Sequence, residues 1–350
     1  MTQTGRRVVL HIGAPKSGTT YVQSRMQLNH EQLLAHGVLV PQNVAEEGPS
    51  TLMFRAALDL TGIRLWRGRK YADGRWDRLV GTTRRHHGLT WISDEAFVRA
   101  DDAAAVRAVR ELGGDGEVDV HVVYTARDLG RAIVSAYLEN LKHGGLEHFA
   151  TYLDRGRADE LKVMRAFEID TVLGRWLAAV GDPAKVHLVT VPPEGGDRSQ
   201  LWTRFLDVAG VDPAWAPAPA AKVNDAVGLP EAQFLRALNE SLEGAAQRGG
   251  RYHALVRDIV VGQGLAPRPR TRVRLDPRHE DWVRARTEVW QAWVRGSGID
   301  VVGDLADLDV VATDPAEWVD PDRLVPGAVE AADAALAAVR AEMRRRDAKP

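Results

Sequence analysis

The apolar run Val8 to Ile12 opens directly into Gly13-Ala14-Pro15-Lys16-Ser17-Gly18-Thr19-Thr20, a glycine-rich turn leading into a helix-compatible segment. A buried strand, a tight turn and a helix in that order restrict the chain to α/β architectures with a loop at the carboxyl end of a strand. The free N–H groups of a first helical turn point at whatever occupies such a loop, and the helix dipole adds about half a positive charge. Gly13 and Gly18 permit close approach, Ser17, Thr19 and Thr20 carry hydroxyl donors, and Lys16 brings a full charge. The stretch reads as a cradle for an anion such as phosphate, with an ordinary tight turn as the plain alternative.

The lysine position distinguishes two kinds of phosphate chemistry. A nucleoside-triphosphate loop places lysine directly after the second glycine and then Ser or Thr on magnesium. Gly13 and Gly18 keep that glycine spacing, but Thr19 stands at the lysine position and Lys16 comes three residues earlier. A second segment, Val118 to Thr125, is β-branched and apolar enough for a buried parallel strand. It ends in Arg127-Asp128 and runs into a helical pattern in which Arg131 and Ser135 share a similar face, Ser135 eight residues after Arg127. In an open α/β sheet Arg127 and the Gly13 to Thr20 loop would share the edge where ligands collect.

Pro15-Lys16-Ser17-Gly18-Thr19-Thr20 resembles the 5′-phosphosulfate loop of sulfotransferases that use 3′-phosphoadenosine 5′-phosphosulfate (PAPS), and Arg127 with Ser135 resembles that family's 3′-phosphate element. The resemblance implies a P-loop-like fold, a parallel β-sheet flanked by helices with helical C-terminal additions. It implies PAPS as donor, adenosine 3′,5′-bisphosphate as product, no metal, and sulfuryl transfer to a hydroxyl or amine. Donor contacts would fall on Pro15, Lys16, Ser17, Gly18, Thr19, Thr20, Arg127 and Ser135. Lys222-Val223-Asn224 and Val301 to Leu305 look like bacterial members of the family. The late Arg-Lys-Gly element of many members is missing. The alternating Arg268, Arg270, Arg272 and Arg274 could replace it from one face of an extended segment, or form a charged, exposed edge strand.

The acceptor must lose a proton as it attacks sulfur. Leu89 to Ser93 reads as a buried strand followed by Asp94 and Glu95. The resemblance makes Glu95 the base and Lys16 the catalytic cation, with Asp94 or a histidine as other candidates for the base. Helix capping by Ser93 or Asp94 accounts for the same residue types. The strand with its two carboxylates also fits the magnesium strand of a Mg-ATP-dependent kinase or ATPase. A non-catalytic nucleotide-binding module is the remaining alternative.

With 46 basic and 48 acidic residues the chain has no global attraction to nucleic acid or membranes. It has no cysteine, so disulfides and thiolate chemistry are excluded. The run at Val8 is too short and too soon interrupted by His11 for a leader, and no stretch reaches membrane-spanning length, which points to the cytoplasm. No histidine spacing suggests a metal site, and His11 reads as a core-strand residue. The 350 residues are expected to form one α/β domain, with a basic insertion at 64–87 and a mostly helical part at 220–350. Tyr21 to Ala35, Val163 to Val180, Leu201 to Leu206, Leu229 to Leu242, Trp282 to Val294 and Ala328 to Arg345 are predicted helices, and Val38 to Val40 and Val186 to Val191 predicted strands. Pro213 to Pro219 reads as an extended linker. The basic insertion with Trp66, Tyr71 and Trp76 is read as solvated surface; it could also gate the acceptor, a small molecule, carbohydrate, lipid or peptide tyrosine.

Overall fold

A computed structural model describes residues 5–42, 51–63, 71–220, 227–242, 252–323, 325 and 327–347. Six parallel strands form one sheet in the order β2-β3-β1-β4-β5-β6. They are β1 (Arg7–His11), β2 (Val38–Leu39), β3 (Leu89–Ser93), β4 (Asp119–Ala126), β5 (Val186–Thr190) and β6 (Asp300–Val302). Helices flank the sheet, which is the α/β class that the strand–turn–helix pattern predicts. The central strands carry continuous apolar runs, as parallel strands covered on both sides must: Val8, Val9 and Leu10 in β1 and Val122 and Val123 in β4 have no exposed surface.

The strand order places the loop. The chain leaves β1, builds β2 and β3 on one side, then crosses to β4 on the other, so the topology reverses at β1. Ligand sites in open α/β sheets form at such a reversal, outside the carboxyl ends of the strands.

By its contacts the chain divides into two compact units, the first made of residues 1–129, 162–221 and 284–309, the second of 130–161, 222–283 and 310–350. The first holds the whole sheet. The second is helical, with segments Phe149–Arg157, Leu229–Ser241 and Ala328–Asp347, a π-type helix His253–Leu265, and most of Leu129–Lys142. Its interior is tied by Asn239, whose amide donates to the carbonyls of Leu141 (2.8 Å) and Gly145 (2.9 Å) while accepting from the Tyr252 hydroxyl (2.6 Å).

Several segments depart from the sequence expectation for identifiable reasons. Tyr21 to Ala35 is two helices, α1 (Thr19–Leu28) and α2 (His30–Ala35). Asn29 breaks them, its amide donating to the Arg25 and Ala218 carbonyls at 2.7 and 3.0 Å and its Oδ1 accepting from Ala218 N–H at 2.8 Å. The helix expected over 163–180 starts at Ile169, after a 3₁₀ turn Met164–Ala166 whose last carbonyl takes the buried Tyr124 hydroxyl at 2.8 Å. The Pro/Ala stretch begins as a 3₁₀ turn Pro213–Trp215, and Trp215 stacks on His36 with ring centres 4.6 Å apart, so it packs instead of spanning open solvent.

The arginine-rich segment forms no strand, because residues 269–276 carry neither helix nor strand. Arg268 instead pairs at 2.8 Å with buried Glu231 and donates to the Glu330 carbonyl at 2.9 Å, while Arg270, Arg272 and Arg274 are exposed. Within the basic insertion, residues 64–70, Trp66 among them, lie outside the described residues. The helix Arg75–Arg84 is not solvated surface throughout: Trp76 is fully buried and donates to Glu111 at 2.5 Å. Lys222-Val223-Asn224 also lie outside the described residues. Among the described residues no helix is long and apolar enough to cross a membrane.

Candidate anion site

The first half of the loop is an extension of the sheet. Ile12 N–H donates to the Val123 carbonyl (2.9 Å), Ala14 N–H to Thr125 O (2.9 Å), and Thr125 N–H back to Gly13 O (2.6 Å). The second half turns through two residues with left-handed backbone, Lys16 (φ 65°) and Gly18 (φ 88°). The left-handed conformation favours glycine at the latter, and an added Cβ would lie 2.5 Å from Leu201 Cδ2, so that side chain would have to shift. Lysine in that conformation costs about 1–2 kcal/mol, and Arg127 Nη1 holds it by donating to the Lys16 carbonyl at 3.1 Å.

Helix α1 begins at Thr19 with Gly18 as its N-cap and no side-chain cap bond. The first ladder bond runs from Val22 N–H to Gly18 O at 3.1 Å, so the amides of Thr19, Thr20 and Tyr21 have no carbonyl partner within the helix. They face the end of the sheet where β1 and β4 lie side by side, with Lys16 and Arg127 at the same edge. Two cations, one fixed to the other's backbone, and a helix start without a side-chain cap thus lie together at the carboxyl ends of β1 and β4, with the Glu95 carboxylate on Thr19 beside them.

The three loop hydroxyls differ in their surroundings. Ser17 is 1% exposed, donates to Ala14 O at 2.5 Å and meets Thr125 Oγ1 at 2.5 Å. Thr19 is buried and donates to Glu95 Oε2 at 2.5 Å. Thr20 is exposed and Pro15 half-buried. Ser17 and Thr19 thus spend their hydroxyls within the protein, and Thr20 is the exposed one of the three.

Asp94 and Glu95 separate in role. Asp94 closes β3 and caps the 3₁₀ turn Glu95–Arg99, accepting from Ala96 N–H at 2.9 Å, as the capping alternative predicts. Burial pushes its carboxyl up to about 7, opposed by the Ala96 hydrogen bond and reinforced by the neighbouring Glu95 charge. Glu95 is half-buried and oriented by Thr19 at the start of α1, which places a carboxylate beside the cradle. Ser135 belongs to the helical unit, half-buried in Leu129–Lys142.

Sequence reasoning missed the polar network beneath the loop. His11 Nδ1 meets Ser93 Oγ at 2.7 Å, His11 Nε2 meets Thr125 Oγ1 at 3.2 Å, and Gln23 donates to Ser93 O at 3.2 Å. The available signal was the register: His11 and Ser93 each end an apolar strand and pair directly across β1 and β3. The chain matches no protein-family model, no curated protein and no solved structure, and its functional reading rests on the geometry of this loop.

Proposed function

We propose that the chain is a PAPS-dependent sulfotransferase of the bacterial type, moving a sulfuryl group to a hydroxyl or amine acceptor of the small-molecule, carbohydrate or lipid class. The observation that carries this is the position of positive charge. Lys16 precedes Gly18 within the cradle, and the place that a triphosphate loop gives to lysine is filled by Thr19, buried and committed to Glu95. The residues fit an anion donor: uncapped amides, Lys16 and exposed Thr20 at the 5′-phosphosulfate, and Arg127 at the neighbouring strand end toward the 3′-phosphate.

In this reading Glu95 accepts the acceptor's proton as the acceptor oxygen or nitrogen bonds to sulfur. The bond from sulfur to the phosphate oxygen breaks, and Lys16 with the loop amides stabilises the charge left on adenosine 3′,5′-bisphosphate. A sulfuryl group carries less negative charge than a phosphoryl group, so one lysine and preorganised donors are sufficient without a metal.

Thermal unfolding separates this from the magnesium-dependent reading, for which the Asp94 and Glu95 carboxylates following β3 are the supporting feature. At a hundredfold excess over Kd, adenosine 3′,5′-bisphosphate in chelator is expected to raise the midpoint by about 5 °C, with no comparable rise from ATP and magnesium. Stabilisation by Mg-ATP alone would replace the sulfotransferase reading with the kinase or ATPase one; stabilisation by neither would leave an interaction module.

A further inference from the structure

We infer that His11 is a positioning residue, the centre of a one-way hydrogen-bond chain Ser93–His11–Thr125–Ser17–Ala14 that sets the anion loop from beneath. The chain spans three strands: Ser93 ends β3, His11 ends β1, and Thr125 is the penultimate residue of β4. All four residues are at most 2% exposed, so the chain is shielded from bulk solvent.

The direction of the chain follows from counting hydrogens. Ser17 has one hydroxyl hydrogen and places it on the Ala14 carbonyl at 2.5 Å, so at its 2.5 Å contact with Thr125 it accepts. Thr125 Oγ1 also reaches the Gly13 carbonyl at 3.2 Å, but its one hydrogen goes to the much closer Ser17 at 2.5 Å, so it accepts at its 3.2 Å contact with His11 and Nε2 is the donor there. A neutral imidazole with hydrogen on Nε2 has a bare Nδ1, and that atom accepts from Ser93 at 2.7 Å. Every hydrogen is used once and every link runs the same way. Burial holds the His11 pKa down at about 3, which keeps the ring in the neutral form that the chain requires.

The consequence lies in the loop. Ser17 sits between Lys16 and Gly18, the two left-handed residues, and its side chain is the point at which the sheet fixes that turn. Buried polar chains of this kind specify one geometry when complete and are costly when one link is cut. His11 thus acts on the anion through Thr125 and Ser17 without touching it. The assignment concerns loop geometry and stands apart from the identity of the donor.

Thr125→Val cuts the chain while conserving shape, and Thr125→Ser restores the hydroxyl. His11→Phe is a second cut that keeps a ring against Phe205, whose centre lies 4.8 Å from that of His11. Two readouts need no ligand. Nitrogen NMR of histidine-labelled parent protein at pH 7 should show His11 with hydrogen on Nε2 and a bare Nδ1. Amide hydrogen exchange at Ala14 and Val22, whose N–H groups bond the Thr125 and Gly18 carbonyls at 2.9 and 3.1 Å, should accelerate at least about tenfold in Thr125→Val, relative to β5 in the same molecule, and return to the parent rate in Thr125→Ser. Affinity for adenosine 3′,5′-bisphosphate should fall by about tenfold in Thr125→Val and recover in Thr125→Ser. The opposite tautomer, or loop exchange in Thr125→Val equal to the parent's, would overturn the inference. If the parent fails to bind adenosine 3′,5′-bisphosphate, the sulfotransferase reading falls while tautomer and exchange still decide the role of His11.

Discussion

Lys16→Ala is expected to lower sulfuryl transfer by about a thousandfold, the upper range for losing one preorganised stabiliser of developing charge. Its stability should stay within about 0.5 kcal/mol of the parent. Two observations support that separation. The left-handed backbone at residue 16 is held through its carbonyl by Arg127, a contact alanine retains. The Lys16 side chain is only half-buried, so truncation removes little packing. The measurement is release of adenosine 3′,5′-bisphosphate from labelled PAPS across a panel of hydroxyl and amine acceptors, with urea unfolding as control. Parent-like turnover in a folded Lys16→Ala protein would remove this residue from the mechanism.

Asp94→Asn is expected to stabilise the protein by about 2–4 kcal/mol at pH 8, because a pKa raised by about three units is worth about 1.4 kcal/mol per unit. In the unfolded chain Asp94 ionises near its ordinary 3.8, in the folded protein near 7. Between those values the folded state holds the extra proton, so this group's stabilising contribution is full below about 3.8 and is lost as pH rises through about 7. Asparagine keeps an oxygen for the Ala96 amide and removes the buried charge. The gap between variant and parent should therefore be small at pH 4, widen to pH 7 and stay level above it.

His11 works in the opposite sense. Its pKa is about 3 when folded and 6.5 when unfolded, so its contribution is present above 6.5 and lost as pH falls toward 3. In the parent the two slopes oppose each other between pH 4 and 6.5, and in Asp94→Asn the acid-side loss should stand uncompensated. Urea midpoints taken at half-unit pH steps give both curves. A variant-to-parent gap independent of pH would show that Asp94 has the same pKa in the folded and unfolded protein.

The parts of this architecture set by local pattern were legible in the sequence. Continuous apolar runs at β1, β4 and β5 announced buried parallel strands, and Gly13 to Thr20 after β1 announced a loop at their carboxyl end. Arg127 could be placed at the same edge because strand ends are readable, and its 3.1 Å bond to the Lys16 carbonyl is a stronger link than the pattern implied. What could not be read depended on partners distant in the chain. Asn29 breaks a helix because Ala218 is there to receive it, and Ser17 turns inward because Thr125 and Ala14 surround it. The alternating arginines 268–274 had the period of a strand, yet Glu231 supplies Arg268 with a buried partner and no neighbouring strand supplies a ladder. Hydroxyl residues in the cradle were recognisable by type, but whether each faces ligand or protein is a tertiary property.

Calorimetric binding of adenosine 3′,5′-bisphosphate and of adenosine 5′-phosphate, both in chelator, addresses the central assignment most directly. The two differ by the 3′-phosphate, and a charge-assisted contact from Arg127 is worth about 1.5–3 kcal/mol. The account predicts metal-free binding with the bisphosphate favoured by about 10- to 100-fold, and loss of that preference in Arg127→Ala. Equal affinities for the two nucleotides, or binding that appears only with magnesium, would contradict it.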